Sequence, residues 1–162
     1  MLREEFINAK RIVIKLGTNV LRNSDGEVAI SRIYSFIEDM AKLVKQGKEV
    51  ILVTSGAVGL GKKKLNLEST AEDGVKQACA AVGQSRLMSF YENGFGIYDV
   101  PIAQILLTED DFSLRYRYLS LRTTLNKILE FGVVPIINQN DTVSTKSSRV
   151  PASSIFKPYN KS

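Results

Sequence analysis

Short apolar runs alternate along the chain with longer stretches of helical periodicity, and this alternation restricts the possible folds most strongly. The apolar runs cover residues 11–16, 50–53, 101–107 and 133–137, and the helical stretches cover residues 31–47, 75–95 and 113–132. A run such as 50–53, which is apolar throughout, is typical of a strand buried on both faces of a parallel sheet. Strands that alternate with helices of about 15 residues predict an α/β fold with a largely parallel sheet and right-handed crossovers.

Polar or glycine residues follow three of these runs at the point where the strand ends. They are Lys15 and Gly17 at the first strand, Ser55 and Gly56 at the second, and Asn138 and Asp141 at the last. Ligands of open α/β sheets bind outside the carboxyl ends of the strands. We therefore expect these residues to line one edge of the sheet.

The second strand runs directly into a segment that contains Gly56, Gly59 and Gly61. Glycine permits positive φ and close backbone approach, so consecutive N–H groups of such a segment can line an anion site. A tight strand-to-helix turn without a ligand explains the same residues. The spacing fits neither Gly-x-Gly-x-x-Gly nor a P-loop, because no Gly-Lys-Ser/Thr follows.

Lys15 stands where the first strand ends. Burial of its charge would cost several kcal/mol unless an anion meets it, which favours a role in anion binding. A lysine whose side chain reaches the solvent at the sheet edge is the alternative.

Together these residue types are suited to phosphoryl transfer, which depends on positioning and on neutralising the charge of the transferred oxygens. Lys15 would offset that charge, and Gly17 with the 56–61 segment would present N–H donors. Asn138 and Asp141 would bind a polar acceptor, for instance its amino group. Mg²⁺ normally accompanies a nucleotide in such sites.

Composition excludes several other classes of site. The chain of 162 residues has one cysteine, Cys79, and no histidine, which excludes an internal disulfide framework, a structural zinc site and a Ser-His-Asp triad. The net charge of +5 only weakly indicates nucleic-acid binding, because the basic residues lack interleaved aromatic residues. We find no signal peptide and no apolar run near the ~18 residues of a membrane span, so a cytoplasmic protein is expected.

Five segments resemble successive motifs of the glutamate 5-kinases, a branch of the amino-acid kinase family. They are IKLGT at 14–18, VTSGAV at 53–58, AAVGQSRL at 80–87, QILLT at 104–108 and INQND at 137–141. The resemblance covers about residues 10–145. The first pattern is shared with aspartokinases, acetylglutamate kinases and uridylate kinases, whereas the third and fifth are much more particular to glutamate 5-kinases.

The resemblance implies an αβα sandwich and transfer of the γ-phosphate of ATP, with Mg²⁺, to L-glutamate, which gives L-glutamyl 5-phosphate for proline biosynthesis. It implies that the ATP phosphates contact Lys15, Gly17 and Thr18, with Lys15 catalytic. It implies a glutamate site formed by Ser55, Gly56, Ala57, Asn138 and Asp141. It also implies a cytoplasmic homo-oligomer that proline inhibits by feedback.

The chain departs from the family pattern in two places. Gln139 stands where the family usually has glutamate. From Lys146 onward the sequence is serine-rich and basic, without the family's Gly-Asp-Asn-Asp segment or its nucleotide-binding half. We therefore expect the N-terminal, glutamate-binding part of an amino-acid kinase domain at 1–145 and a disordered tail at 146–162. We also expect that this chain alone is poorly soluble or needs a partner surface, and that it lacks ATP-dependent activity. A non-catalytic glutamate- or proline-binding protein and a truncated gene product are the alternatives.

Overall fold

Four parallel strands form one sheet in the computed structural model, which describes residues 7–23, 28–72 and 74–139. The strands are Arg11–Leu16 (β1), Glu49–Thr54 (β2), Ile102–Leu107 (β3) and Val134–Gln139 (β4). Their spatial order is β1-β2-β4-β3, and each neighbouring pair is parallel. The predicted parallel α/β fold is confirmed, and β1 and β3 are the edge strands of the described sheet.

Five helices whose bounds lie within the described residues connect or follow these strands. They are Ile30–Lys45 (α1), Ala57–Lys64 (α2), Val75–Gly96 (α3), Asp110–Ser113 (α4) and Arg115–Glu130 (α5). The single helix predicted at 113–132 is interrupted at Leu114, whose extended backbone (φ −97°, ψ 113°) separates α4 from α5.

Helices cover both faces of the sheet and divide the core into two parts. On one face, α1, α2 and α3 pack on β1, β2 and β4, with Ile37, Tyr91 and Phe95 completely buried. On the other face, α5 packs on β2, β3 and β4 through Leu125 and Leu129. This three-layer arrangement confirms the αβα sandwich. The α5 side of β1 is less covered among the described residues, and Val13 there is 39% exposed.

The glycine-rich segment after β2 forms a helix rather than an extended turn. Gly56 is the residue before α2 and has φ +105°, whereas Gly59 and Gly61 lie inside the helix. A Cβ on Gly61 would lie 1.8 Å from the carbonyl oxygen of Cys79, so this glycine allows the backbones of α2 and α3 to touch. The expectation that N–H groups along all of 56–61 face a ligand is therefore wrong, because only the first turn of a helix leaves its N–H groups without intrahelical partners.

Candidate functional site

The carboxyl ends of β1, β2 and β4 meet at one edge of the sheet. Lys15 is in register with Val53, and Val53 is in register with Ile137. Ser55 follows the end of β2, and Asn138 lies one residue beyond Ile137. The fold thus brings together at one edge seven of the eight predicted site residues, which are Lys15, Gly17, Thr18, Ser55, Gly56, Ala57 and Asn138.

The hydroxyl groups of Thr18 and Ser55 connect the ends of β1 and β2. The two oxygens, Thr18 Oγ1 and Ser55 Oγ, are 3.2 Å apart, and Ser55 Oγ also donates to the carbonyl of Leu16 at 3.5 Å. Both side chains are partly buried. Thr18 was predicted only through the family resemblance, and the structure places it directly against Ser55.

Ser55 and Gly56 lead into α2, whose first turn faces this edge of the sheet. Within the part of the chain that the structure describes, no side chain caps the first N–H groups of α2. These groups and the helix dipole form an environment that favours a carboxylate or phosphate oxygen. Gly56 is required because of its φ of +105° and because a Cβ there would approach the Leu21 side chain to 3.3 Å.

Hydrogen bonds fix the loop after β1 over the first turn of α2. Backbone bonds run from the Val20 N–H to the Gly17 carbonyl and from the Leu21 N–H to the Thr18 carbonyl. Arg32 of α1 donates to the Val20 carbonyl at 3.3 Å. This loop therefore presents Gly17 and Thr18 to the site from a defined conformation.

Lys15 is exposed, and its side chain lies on the α5 side of the sheet. Within the described part of the chain, its ammonium group has no hydrogen bond or ion pair. The expectation of a charge at the end of a buried strand is wrong, because β1 is an edge strand of the described sheet and Lys15 on this face is exposed. A charged anion partner is therefore not needed to stabilise the fold, and the ammonium remains available to a ligand.

Asn138 lies on the opposite face of the sheet and is only 5% exposed. Its Nδ2 donates to Gln84 Oε1 of α3 at 2.7 Å, and its Oδ1 accepts from the Gln139 backbone N–H at 2.9 Å. The two halves of the Asn138 amide are therefore already engaged by the protein. Its predicted direct contact with substrate stays a prediction.

A second buried polar contact, between Thr54 and Tyr91, stabilises the same region. Thr54 Oγ1 and Tyr91 Oη are 2.8 Å apart, and both side chains are buried. Burial raises the pKa of the Tyr91 phenol to about 12, while the hydrogen bond with Thr54 acts in the opposite direction. Sequence reasoning missed this pair, because the two residues are separated by 37 positions and helix α3 shows no single apolar stripe that marks Tyr91.

Asp141 lies outside the described residues, as does the tail at 146–162. Among residues 7–23, 28–72 and 74–139, no group of three or more histidine, cysteine, aspartate or glutamate residues is placed to hold a metal ion. The described side chains therefore do not form a protein cage for Mg²⁺. In the same part of the chain, no helix has both the length and the apolar character that a membrane crossing needs.

The sequence matches known proteins over nearly its full length. The model of the amino acid kinase family matches residues 10–154. A glutamate 5-kinase from Desulfotalea psychrophila is 49% identical over 146 residues, which cover 89% of this chain and 39% of the relative. A glutamate 5-kinase from Geobacter metallireducens is 47% identical over 135 residues, which cover 83% of this chain and 36% of the relative. The chain thus spans less than half the length of these relatives.

Comparison with solved structures supports the same fold. The UMP kinase from Ureaplasma parvum superposes with a TM-score of 0.52 at 18% identity, over 80% of this chain and 56% of the other. At this identity the likeness concerns the fold alone. The family match over residues 10–154 shows that the chain belongs to the amino acid kinase family, and the αβα sandwich agrees with it.

Proposed function

We propose that this chain forms the glutamate-binding side of a kinase that transfers the γ-phosphate of ATP to L-glutamate. The product would be L-glutamyl 5-phosphate, in the first step of proline biosynthesis. The observation that carries the proposal is the junction of Thr18, Ser55 and the uncapped first turn of α2 at one sheet edge. The identity of 43–49% to several glutamate 5-kinases supports glutamate as the acceptor.

In the proposed reaction, an oxygen of the glutamate side-chain carboxylate attacks the γ-phosphorus of ATP. A bond forms between that oxygen and phosphorus, the bond from phosphorus to the β–γ bridging oxygen breaks, and ADP leaves with the electron pair. Most of the catalysis in such a step comes from positioning and from neutralising charge on the phosphoryl oxygens. The ammonium of Lys15, which has no partner among the described residues, is suited to this role, and Gly17 and Thr18 would contact the phosphates.

The glutamate side of the site would use Ser55, Gly56 and Ala57, whose backbone leads into α2. A hydroxyl and uncapped N–H groups suit a carboxylate oxygen. Asp141 would bind the substrate amino group, and Asn138 would shape the same loop. Mg²⁺ would arrive with ATP and be held mainly by its phosphates. Feedback inhibition by proline, assembly into a homo-oligomer and a cytoplasmic location are further parts of this proposal.

Calorimetry with L-glutamate, together with an assay of glutamate-dependent ADP formation, tests the proposal on the purified chain. Ser55→Ala should weaken glutamate binding, because it removes a hydroxyl from the junction. Lys15→Met should leave glutamate binding nearly unchanged and lower the rate of any turnover by orders of magnitude. Lys64→Met, at the far end of α2, is the matched control and should change neither quantity.

The two assays also separate the catalytic proposal from a non-catalytic one. Glutamate binding with turnover that depends on Lys15 supports the kinase. Glutamate binding without ATP binding or turnover supports a glutamate-binding protein without catalysis. Failure of the folded protein to bind glutamate at all refutes the proposed acceptor.

A further inference from the structure

Asn138 is held by hydrogen bonds at both ends of its side-chain amide. Its Oδ1 accepts from the N–H of the next residue, Gln139, so the side chain fixes the backbone at the end of β4. Its Nδ2 donates to Gln84 Oε1, which comes from α3, 54 positions earlier in the sequence. The orientation of Asn138 therefore depends on an acceptor that a different layer of the fold supplies.

The other half of the Gln84 amide finds no such partner in residues 7–23, 28–72 and 74–139. Gln84 Nε2 is buried and makes no hydrogen bond to any of these residues. Buried polar atoms without partners are rare in folded proteins, and each one requires a reason. An apolar side chain at position 84 would remove this unpaired donor, but it would also leave Asn138 Nδ2 without an acceptor. The structure thus retains Gln84 for its oxygen.

We propose that Gln84 is a positioning residue for the substrate site: it orients Asn138, and Asn138 holds the backbone at the end of β4. The proposal rests on the proposed glutamate-binding function. It does not place Gln84 in contact with glutamate. It assigns to Asn138 a role in holding the backbone, in place of the direct substrate contact that the sequence predicts.

Three variants of the full chain test this role. Gln84→Leu removes the acceptor, whereas Gln84→Glu keeps a carboxyl oxygen for Asn138 Nδ2 and removes the unpaired amide donor. Ser85→Ala is the matched control, because Ser85 is the next residue of α3 and is exposed, and because Gln84 and Ser85 both line the groove between α3 and β3.

Calorimetry with L-glutamate should show about tenfold weaker binding for Gln84→Leu, the loss expected when one hydrogen bond no longer holds Asn138 and the end of β4. Gln84→Glu and Ser85→Ala should bind within about twofold of the original protein. Leucine fills a volume similar to that of glutamine but offers no hydrogen-bond acceptor. Normal ligand binding by Gln84→Glu together with weak binding by Gln84→Leu therefore shows that position 84 is needed for its acceptor and not for packing. Equal binding by the leucine and glutamate variants would overturn the proposal.

Hydrogen exchange of the Gln139 amide gives a second readout that needs no ligand. We expect about tenfold faster exchange in Gln84→Leu and unchanged exchange in Gln84→Glu, because the Gln139 N–H is the group that Asn138 holds. Unchanged exchange in Gln84→Leu would refute the positioning role. If the original protein fails to bind glutamate, the proposed function fails, and the exchange experiment still decides whether Gln84 orders the end of β4.

Discussion

Replacement of Gly83 by alanine should force apart α2 and α3, whose backbones touch at this glycine. A Cβ on Gly83 of α3 would lie 1.7 Å from the carbonyl oxygen of Ala57 and 2.6 Å from the backbone nitrogen of Gly61. Contacts of a real Cβ below 3.0 Å are essentially never observed. Both neighbours are backbone atoms of α2, so neither can move without the helix, and α2 must shift by more than about 1 Å.

The expected cost follows from two opposing effects. Overpacking a close contact typically costs about 1–3 kcal/mol, and the rigid backbone atoms here place Gly83→Ala at the upper end of that range. Alanine in a helix gains about 1 kcal/mol over glycine in intrinsic propensity. The net loss should be about 2 kcal/mol in the free energy of unfolding. For a domain of this size, that lowers the melting temperature by about 4–8 °C.

Urea unfolding followed by circular dichroism measures this loss, and Gly96→Ala is the matched control. Gly96 lies in the same helix, and a Cβ there would meet nothing within 4 Å, so alanine should stabilise the protein by about 0.5 kcal/mol. Gly83→Ala should also weaken glutamate binding, because Ala57 belongs to the first turn of α2. Equal stability of the two variants would refute the close-packing argument.

Three further changes probe the core and the region of the site. Tyr91→Phe should cost about 1 kcal/mol at pH 9, because it leaves the Thr54 hydroxyl unpaired. The pKa of Tyr91 is about 12 in the folded protein, against 10.0 for an unperturbed tyrosine. The stability that this difference contributes is fully present below pH 10 and is lost as the pH rises through 12. At pH 11 the free energy of unfolding of the original protein should therefore be about 1.4 kcal/mol lower through Tyr91, and its advantage over Tyr91→Phe in urea unfolding should disappear. An identical difference between the two proteins at pH 9 and pH 11 would contradict this. Gly59→Ala should be neutral or should stabilise the protein by about 0.5 kcal/mol, because its Cβ displaces only the flexible guanidinium end of Arg22; a loss in melting temperature comparable to that of Gly83→Ala would show that Arg22 cannot move. Ile37→Asp should destabilise the protein by about 4 kcal/mol or more, because it places an unpaired charge at a completely buried position, and soluble expression with an unchanged melting curve would refute that.

Local patterns were sufficient for the helices that one amphipathic stripe defines. Three- and four-residue spacing in the sequence predicts one buried face for α1, made of Ile33, Phe36, Ile37, Met40, Ala41 and Val44. Four of these residues are buried, Phe36 and Val44 are partly buried, and Gly47 has the positive φ expected after a helix end. Serine is a preferred helix cap, so the sequence predicts that Ser31 caps this helix. That prediction is wrong, because α1 begins at Ile30, after Ala29, and no side chain of the described residues caps it. Boundaries of this kind depend on tertiary contacts that outweigh the few tenths of a kcal/mol to ~1 kcal/mol that a cap contributes.

The position of Pro135 in the sheet could be predicted from the sequence only in part. A proline lacks a backbone N–H, so the sequence favours an end of a strand or a position near the sheet edge. The structure places Pro135 second in β4, which lies between β2 and β3. The strand is therefore central in the sheet. The pairing of β4 with β2 begins only at Ile136, after the proline, so the missing N–H of Pro135 lies before the first paired residue.

By itself, the sequence determined the parallel α/β fold, because apolar runs and helical stretches alternate along the chain, and the shared edge of Lys15, Ser55 and Asn138, because parallel strands end on the same side. Only the tertiary structure decided that β1 is an edge strand, which leaves Lys15 exposed, and that a glycine-rich segment is a helix packed on Gly83. It also decided the pairing of Asn138 with Gln84 across 54 positions. Local periodicity reports which face of an element is buried, whereas strand order and contacts between distant residues depend on how the layers pack against one another.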